Sequence, residues 1–386
     1  MTWVAHDDVD RATIRKEPTV SSSNSASSRT SWVGLDVHKD SITSAVLTPG
    51  TEVPLVDRWF HDEPSVRRFV AGLGSPARVR LCYEAGPTGY ELARLLGRMG
   101  VATEVIAPSL IPTLPGARVK TDARDARRLV QLYRAGELTA VHIPSPGEEA
   151  IRDLARTRAD LVIDRVRCRH RLSKFLLRHG EVYRGGVQWT VAHETWLRQL
   201  RFEDAALAQT YSHYRAIVAG LDAHLAAVES DLKIYLTQGP FAEATARLSA
   251  YRGVRELGAL TLSAEVCDWR RFPRATSLMG FCGLVPSEYS SGERVRRGHI
   301  TKAGNTHLRT ALVEAAWAYQ HRPAVGATIK KRQQHCSEET ISRAWAAQLH
   351  LCGKFRRLAE RKTSRKVVVT AVARELAGFL WAEMAA

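Results

Sequence analysis

The sequence predicts an α/β domain built on a mixed sheet, followed by a longer and mainly α-helical remainder. Three observations predict it. Between residues 31 and 145 short apolar runs alternate with amphipathic stretches, opening on a hairpin and continuing strand–helix–strand–helix. Beyond residue 146 the apolar residues recur at helical spacing over stretches of about thirty residues. A content of 45% apolar and 25% charged residues over 386 positions suits a globular chain with room for several cores.

Residues 1–30 contain SSSNSASS and few large apolar groups, the composition of a disordered tail. Residues 31–145 form the first expected domain. In SWVGLDVHKDSITSAVL, Trp32, Val33, Leu35 and Val37 make a buried strand, Lys39-Asp40-Ser41 a turn, and Ile42–Leu47 the return strand. A third apolar segment follows near Val53–Phe60, then a helix from Pro64 to Leu73. Arg78–Tyr83 reads as a strand ending in Glu84, Tyr90–Met99 as a helix and Val101–Ile106 as a strand, before a Pro-containing loop reaches Lys120.

Four acidic residues stand out in this domain. Asp36 lies inside an apolar run, where an ionised carboxylate is costly to bury unless something pairs with it. Taken alone it reads equally well as a turn cap or arginine partner on one side and as a site residue on the other. Glu84 closes a strand, and strand ends are where α/β sheets place their sites. In KTDARDARRL, Asp122 reads as the cap of a helix and Asp125 falls in its first turn on the same face. Capping accounts for one of the two aspartates and leaves the pair open. Four such carboxylates repel one another, and hard divalent cations such as magnesium resolve that repulsion. Two such ions clamp the attacking and leaving oxygens of a phosphodiester. Architecture and carboxylate order together resemble a ribonuclease H-like, RuvC-type fold.

Residues 146–240 read as an arm of two long helices. Glu148–Gly180 carries Ile151, Leu154, Leu161, Val162, Val166, Leu172, Phe175 and Leu176 as an apolar stripe, flanked by many arginines including Arg165, Arg169 and Arg171. Acidic partners along the same helix are few, so its face is expected to be strongly positive and suited to a nucleic-acid backbone. Glu203–Leu236 supplies the second helix, and the pair reads as an antiparallel coiled coil.

Residues 241–386 form the third expected domain. Gly253–Gly258 followed by an apolar stretch resembles the turn of a helix-hairpin-helix, whose backbone N–H groups can hold a phosphate. Between helices ending near Met279 and starting near Thr306 lies a Gly/Ser/basic loop, in which Ser290 and Ser291 are surrounded by Arg294, Arg296, Arg297, Lys302 and Arg309. Loop serines commonly just solvate a turn. Among five cations, however, a hydroxyl is well placed to attack phosphate, because the cations stabilise the developing charge. From Ser290 to Glu375 there are 18 Lys and Arg against 6 Glu, so +12 of the net +16 is concentrated here. A polyanion is the expected partner. Six cysteines without metal-ligand spacing read as thiols of a reducing cytosol, and no apolar run is long enough to span a membrane.

The blocks GLDVHKD, YEAGPTGY, KTDARDARRL and GLVPSEYSSGERVRRGHITKAGNTHLR, in this order, resemble the DEDD transposases of the insertion sequence one-ten family, with which the Piv and MooV DNA invertases are grouped. The resemblance spans residues 31–380. It implies a RuvC-like domain, a coiled-coil arm and a C-terminal transposase domain in one chain. It makes Asp36, Glu84, Asp122 and Asp125 a tetrad for Mg2+, and Ser291, directly before Gly292, the nucleophile, with Ser290 as the adjacent alternative. It further implies a phosphoserine link to double-stranded donor and target DNA, a structured bridge RNA as guide, and action at the nucleoid of a bacterial cytoplasm. Two duplexes need several active centres, so a homodimer or homotetramer is implied. The chain departs from the family in its long tail and in Glu293, where a small residue such as Gly is usual.

Other classes fit less of the chain. A RuvC-like magnesium nuclease would use the same tetrad with water and needs neither Ser291 nor the basic third domain. A sugar kinase or actin-like ATPase needs a second Gly-rich phosphate loop that the sequence lacks. A non-catalytic nucleic-acid binder leaves four acidic residues in a basic protein without a task.

Overall fold

The computed structural model describes residues 30–112, 121–292, 294–361 and 364–385. The expected N-terminal tail, the end of the loop before Lys120 and the family departure at Glu293 lie outside the described residues. The chain divides into two compact units, Met1–Ile143 and Pro144–Ala386, the second holding both the arm and the C-terminal region.

The first unit is a five-stranded sheet of order β3-β2-β1-β4-β5. β1 (Ser31–Val37), β2 (Ser41–Leu47) and β3 (Leu55–Phe60) form an antiparallel meander, while β4 (Val79–Glu84) and β5 (Ala102–Ile106) run parallel to β1. α1 (Glu63–Gly72) and α2 (Glu91–Arg98) cover one face, where Val33, Leu35, Leu81 and Tyr83 pack on Val66, Val70, Leu92 and Leu96. α3 (Asp122–Arg134) covers the other through Ala126, Leu129, Val130 and Tyr133. Coverage of both faces explains why Trp32–Leu35 of β1 and Ala45–Leu47 of β2 carry no polar side chain at successive positions, rather than alternating. A mixed five-stranded sheet with helices on both faces is consistent with the expected ribonuclease H-like domain.

Gly34 lets α3 sit close. A Cβ at this position would come 2.6 Å from Val130 N and 2.7 Å from Ala126 O, so no side chain fits between strand and helix. The residue that caps α3 is Thr121, whose hydroxyl accepts from Arg124 N–H at 3.3 Å; Asp122, expected in that role, is the first helical residue.

In the second unit α4 (Pro146–Arg178) starts with a capping box between Ser145 and Glu148. α5 (Val191–Gln199) follows, then α6 (Ala205–Ile234). The ion pairs Arg158–Glu229 and Arg165–Asp222 show that α4 and α6 run antiparallel. Cys168, Leu172, Phe175 and Leu176 meet Leu197 of α5 and Val218 of α6, so α5 closes one end of the arm. At its other end Ile151, Ala155 and Leu232 pack on Leu260 and Ala264 of the C-terminal core. Val166, counted in the apolar stripe, is 44% exposed.

That core contains α7 (Ala242–Ser249), α8 (Glu256–Val266), α9 (Ala275–Phe281), β6 (Pro286–Glu288), β7 (Arg297–Ile300), α10 (Thr306–Ala316), α11 (Ala327–Gln333), α12 (Glu338–Glu360) and α13 (Arg365–Ala385). α13 is its axis, with Val368, Val369, Val372, Ala373, Leu376 and Leu380 inaccessible to solvent and α9, α10 and α12 packed around it. Near its end Glu383 is fully buried. Arg247 Nε (2.9 Å), Arg343 Nε (2.6 Å), Thr340 Oγ1 (2.8 Å) and Tyr251 OH (3.1 Å) all donate to its carboxylate. The segment expected as a loop between α9 and α10 is a two-stranded hairpin, β6 pairing antiparallel with β7. All six cysteines are free thiols, and no described helix is long and apolar enough to cross a membrane.

Candidate metal site and serine hairpin

Strand alternation sets the acidic residues on one face. Val79, Leu81 and Tyr83 of β4 point toward α1 and α2, so Cys82 and Glu84 point toward α3, just as Asp36 of β1 follows Trp32 and Gly34 on that side. The N-terminus of α3 brings Asp122 and Asp125 over the same sheet edge, and the positive end of the helix dipole favours carboxylates in its first turn.

Asp36, His38 and Asp122 present ligand atoms that lie within 4.8 Å of one another. His38 Nε2 stands 3.3 Å from Asp36 Oδ2 and 3.7 Å from Asp122 Oδ1. Burial pushes the Asp36 carboxyl above its ordinary value; His38 opposes the shift, and the negative charges of Asp122 and Asp125 add to it. A carboxylate held in this way gains from a cation. Two oxygen donors and one imidazole within this radius fit a divalent metal ion. Asp125 is near enough for its charge to act on Asp36, whereas Glu84, exposed at the end of β4, stands outside the close group. Beside the cluster opens a shallow cleft of ≈ 460 Å³ lined by His38, Lys39, Asp40, Ser41, Arg58 and Asp122, whose two long cations suit a phosphate.

His38 was not among the sequence candidates. The signal was present: residues two apart at a strand end share a face, so Asp-x-His at positions 36–38 places an imidazole beside the aspartate.

The serine candidates sit at the tip of the β6–β7 hairpin, in the other unit. Ser290 Oγ donates to Glu288 Oε1 at 2.8 Å and accepts from Arg296 N–H at 3.3 Å. Ser291 exchanges backbone hydrogen bonds with Arg294 at 3.2 Å in both directions, and its exposed hydroxyl has no hydrogen-bond partner among the described residues. Arg294 and Arg296 are exposed around it, and Arg297 lies 3.7 Å from Glu288. Lys302 takes a left-handed backbone (φ 56°) at the hairpin root. Arg309 is spent on structure, donating to Cys282 O at 3.0 Å and Thr306 Oγ1 at 2.9 Å.

Along the arm, the expectation that α4 lacks acidic partners is corrected by its neighbours. Arg165 and Arg169 both pair with Asp222 of α6, at 3.3 and 3.0 Å, Arg169 also covers the Trp189 ring at 4.6 Å, and Arg158 pairs with Glu229. A count along one helix cannot include charges that folding brings from another. Arg171 stays exposed, with no ion pair among the described residues.

Two family models match the chain. One, described as a transposase and built on DEDD proteins of the IS110 type, covers residues 33–180; the other, described as transposase IS116/IS110/IS902 family, covers 245–330. The first therefore contains the acidic cluster and the second the serine hairpin. The putative transposase y4qE of Sinorhizobium fredii is 41% identical over 358 residues, 92% of this chain and 88% of the relative. The transposase for insertion sequence element IS1533 of Leptospira borgpetersenii is 32% identical over 338 residues, 86% of this chain and 97% of the relative.

Proposed function

The chain belongs to the IS116/IS110/IS902 family of insertion-sequence transposases, and from that premise we propose that it cuts and rejoins donor and target DNA through a phosphoserine on Ser291. The observation that carries the metal half of this reading is the group of Asp36, His38 and Asp122 at the sheet edge, with the charge of Asp125 acting on Asp36; Glu84, outside this close group, joins the tetrad through the family resemblance. These residues would hold magnesium, which when bound supplies Lewis-acid stabilisation of charge at the scissile phosphate.

The protein's own groups do the remainder. Lys39 and Arg58 in the adjoining cleft orient a phosphate. The Ser291 hydroxyl forms a bond to phosphorus as its proton leaves to a base. The bond from phosphorus to one sugar oxygen breaks, and that oxygen departs as a hydroxyl. The phosphodiester is conserved as a protein–DNA ester, so a sugar hydroxyl from another strand can attack it and restore Ser291 without an external energy source. Arg294, Arg296 and Arg297 lower the cost of the charge that develops at this exposed tip. Ser291 is favoured over Ser290 because its hydroxyl is uncommitted, whereas Ser290 is bonded within the hairpin. A structured guide RNA is part of the same reading, supported by the family resemblance and by the concentration of positive charge between Ser290 and Glu375. Two duplexes recombined at once call for a dimer or tetramer.

Mass spectrometry of protein trapped on nicked DNA tests the chemistry, with nucleotide mass expected on the peptide bearing Ser291. Cleavage without an adduct on either serine would replace this reading by a nuclease that uses water. Sequencing RNA that copurifies with the protein tests guidance.

A further inference from the structure

The serine hairpin has little of its own to aim it. Among the described residues, the side-chain hydrogen bonds of residues 286–300 run within the hairpin: Ser287 to His299 O, Ser290 to Glu288, and Arg296 N–H to Ser290. Its direction is therefore set at the root. There Val285 O accepts from Thr301 N–H (2.9 Å), Gly283 O from Lys302 N–H (3.1 Å) and Phe281 O from Asn305 N–H (2.8 Å). Gly304, at φ 91°, tightens the knot, since a Cβ there would come 2.2 Å from Phe281 O.

Asn305 ties this root to something distant. Its Oδ1 caps α10 by accepting Leu308 N–H at 2.9 Å, and its Nδ2 donates to Glu265 Oε2 at 2.7 Å. Glu265, on α8, has a side chain only 1% exposed. Its other partner is Arg156 of the arm helix α4, which grips both carboxylate oxygens, Nε to Oε1 at 2.7 Å and Nη2 to Oε2 at 2.8 Å. Burial alone would raise the Glu265 carboxyl, yet these two donors hold it below its ordinary value, so the anion is permanent at neutral pH. A buried carboxylate with a bidentate arginine on one side and a committed amide on the other has no loose end.

We propose that Glu265 is a positioning residue for the serine hairpin: one buried carboxylate fixes the hairpin root to the arm, so that the arm and the attacking hydroxyl are set as a single piece. The role at Ser291 rests on the phosphoserine reading above; the link between arm and hairpin does not. Arg156, 109 residues before Glu265 in the chain, is where the arm grips this carboxylate, so the placement of the arm bears on how the hairpin presents its tip.

The test uses the full chain and two substitutions that avoid Ser291 and the acidic cluster. Asn305→Ser keeps a good helix cap but is too short to reach Glu265. Arg156→Gln removes the fork from the arm side. Hydrogen exchange of peptides spanning 285–301 is expected to accelerate about tenfold in both variants, with peptides of α12 and α13 unchanged. Single-turnover adduct formation at saturating DNA is expected to fall about tenfold while DNA affinity holds, and the double variant is expected to be no worse than either single one, because both act through one carboxylate. Wild-type exchange of the hairpin in Arg156→Gln would overturn the proposal, as would a loss confined to affinity. A wild-type protein that cleaves with no serine adduct overturns the phosphoserine reading instead, and hairpin exchange then decides the link by itself.

Discussion

Asp36 leaves the central strand of a five-stranded sheet and meets a helix whose backbone is packed against that strand at Gly34. Ser291 stands at the tip of a two-stranded ribbon whose described residues from Glu288 to His299 are all exposed. The first arrangement holds charges together that would otherwise separate, and a rigid, covered sheet is what that requires. The second offers an exposed hydroxyl on a polar ribbon that carries Arg294, Arg296, Arg297 and the carboxylate of Glu288, and is held at its root. On the phosphoserine reading proposed above, the difference divides one reaction in two: candidate ligands locked by packing, and a candidate nucleophile presented on a short lever.

The comparison breaks most visibly at the locked half. Replacing Asp36, Glu84 or Asp125 by Ala is expected to lower the single-turnover cleavage rate at least about 10³-fold, with double variants little worse than single ones, because ligands act as a unit. Nucleic-acid binding should survive. His38→Ala, which removes the imidazole between Asp36 and Asp122, is expected to cost about 10- to 100-fold, less than loss of a carboxylate because hard cations favour oxygen donors. Cleavage at the wild-type rate in any aspartate or Glu84 variant would remove that residue from the site.

A core variant sharpens the contrast. Glu383→Gln leaves Arg247 and Arg343 facing a neutral amide, and the loss of such a buried charge pair is expected to cost about 3–5 kcal/mol in a denaturant titration at pH 7. The Glu383 carboxyl is held below its ordinary value of 4.5 by Arg343, Thr340, Arg247 and Tyr251, against the upward push of burial. Its contribution is therefore complete above pH 4.5 and is lost as the pH falls from there through the lower folded value. The wild type should lose stability steeply below pH 4.5 and Glu383→Gln should lose less; parallel curves would exclude Glu383 as the source.

Gly34→Ala tests the packing that locks the acidic half. Its methyl group meets backbone on two sides, and the overpacking is expected to lower stability by about 1–3 kcal/mol and to reduce cleavage while leaving the hairpin's hydrogen exchange untouched. Unaltered cleavage would mean that the approach of α3 does not set the ligands. The smallest effect is expected at the arm. Arg171→Gln should lower the log–log salt slope of nucleic-acid binding by about 0.7–0.9, the share of one phosphate contact. Arg165→Gln and Arg169→Gln, which lose Asp222, should act on the arm's thermal stability instead.

Much of the first unit was legible because its signals are local. The hairpin of β1 and β2, the strand ending in Glu84 and the helix that opens at KTDARD each announce themselves by period, turn residues or cap. Asp36, Asp122 and Asp125 could be singled out for the same reason. What stayed hidden depends on contacts far apart in the chain. Asp222 answers Arg165 and Arg169 across two helices, and Glu265 answers Arg156 over 109 residues. The β6–β7 hairpin escaped because its strands are short, polar and exposed, so no apolar alternation marks them. α5 escaped because its packing against Phe175 and Val218, rather than its own periodicity, holds it.

The buried carboxylate near the end of α13 also bears on how the protein is made. Arg247 and Arg343 leave the ribosome 136 and 40 residues ahead of Glu383, and until that residue emerges they lack the buried carboxylate that they share, although Arg247 has the exposed Glu243 within reach. The sheet can be completed early, since its strands and α3 all lie within Ser31–Arg134. The helical core waits for nearly the last turn of α13. Synthesis from the N-terminus thus makes every residue of the candidate acidic cluster available before the element bearing Ser291, and the buried carboxylate that closes the helical core comes last.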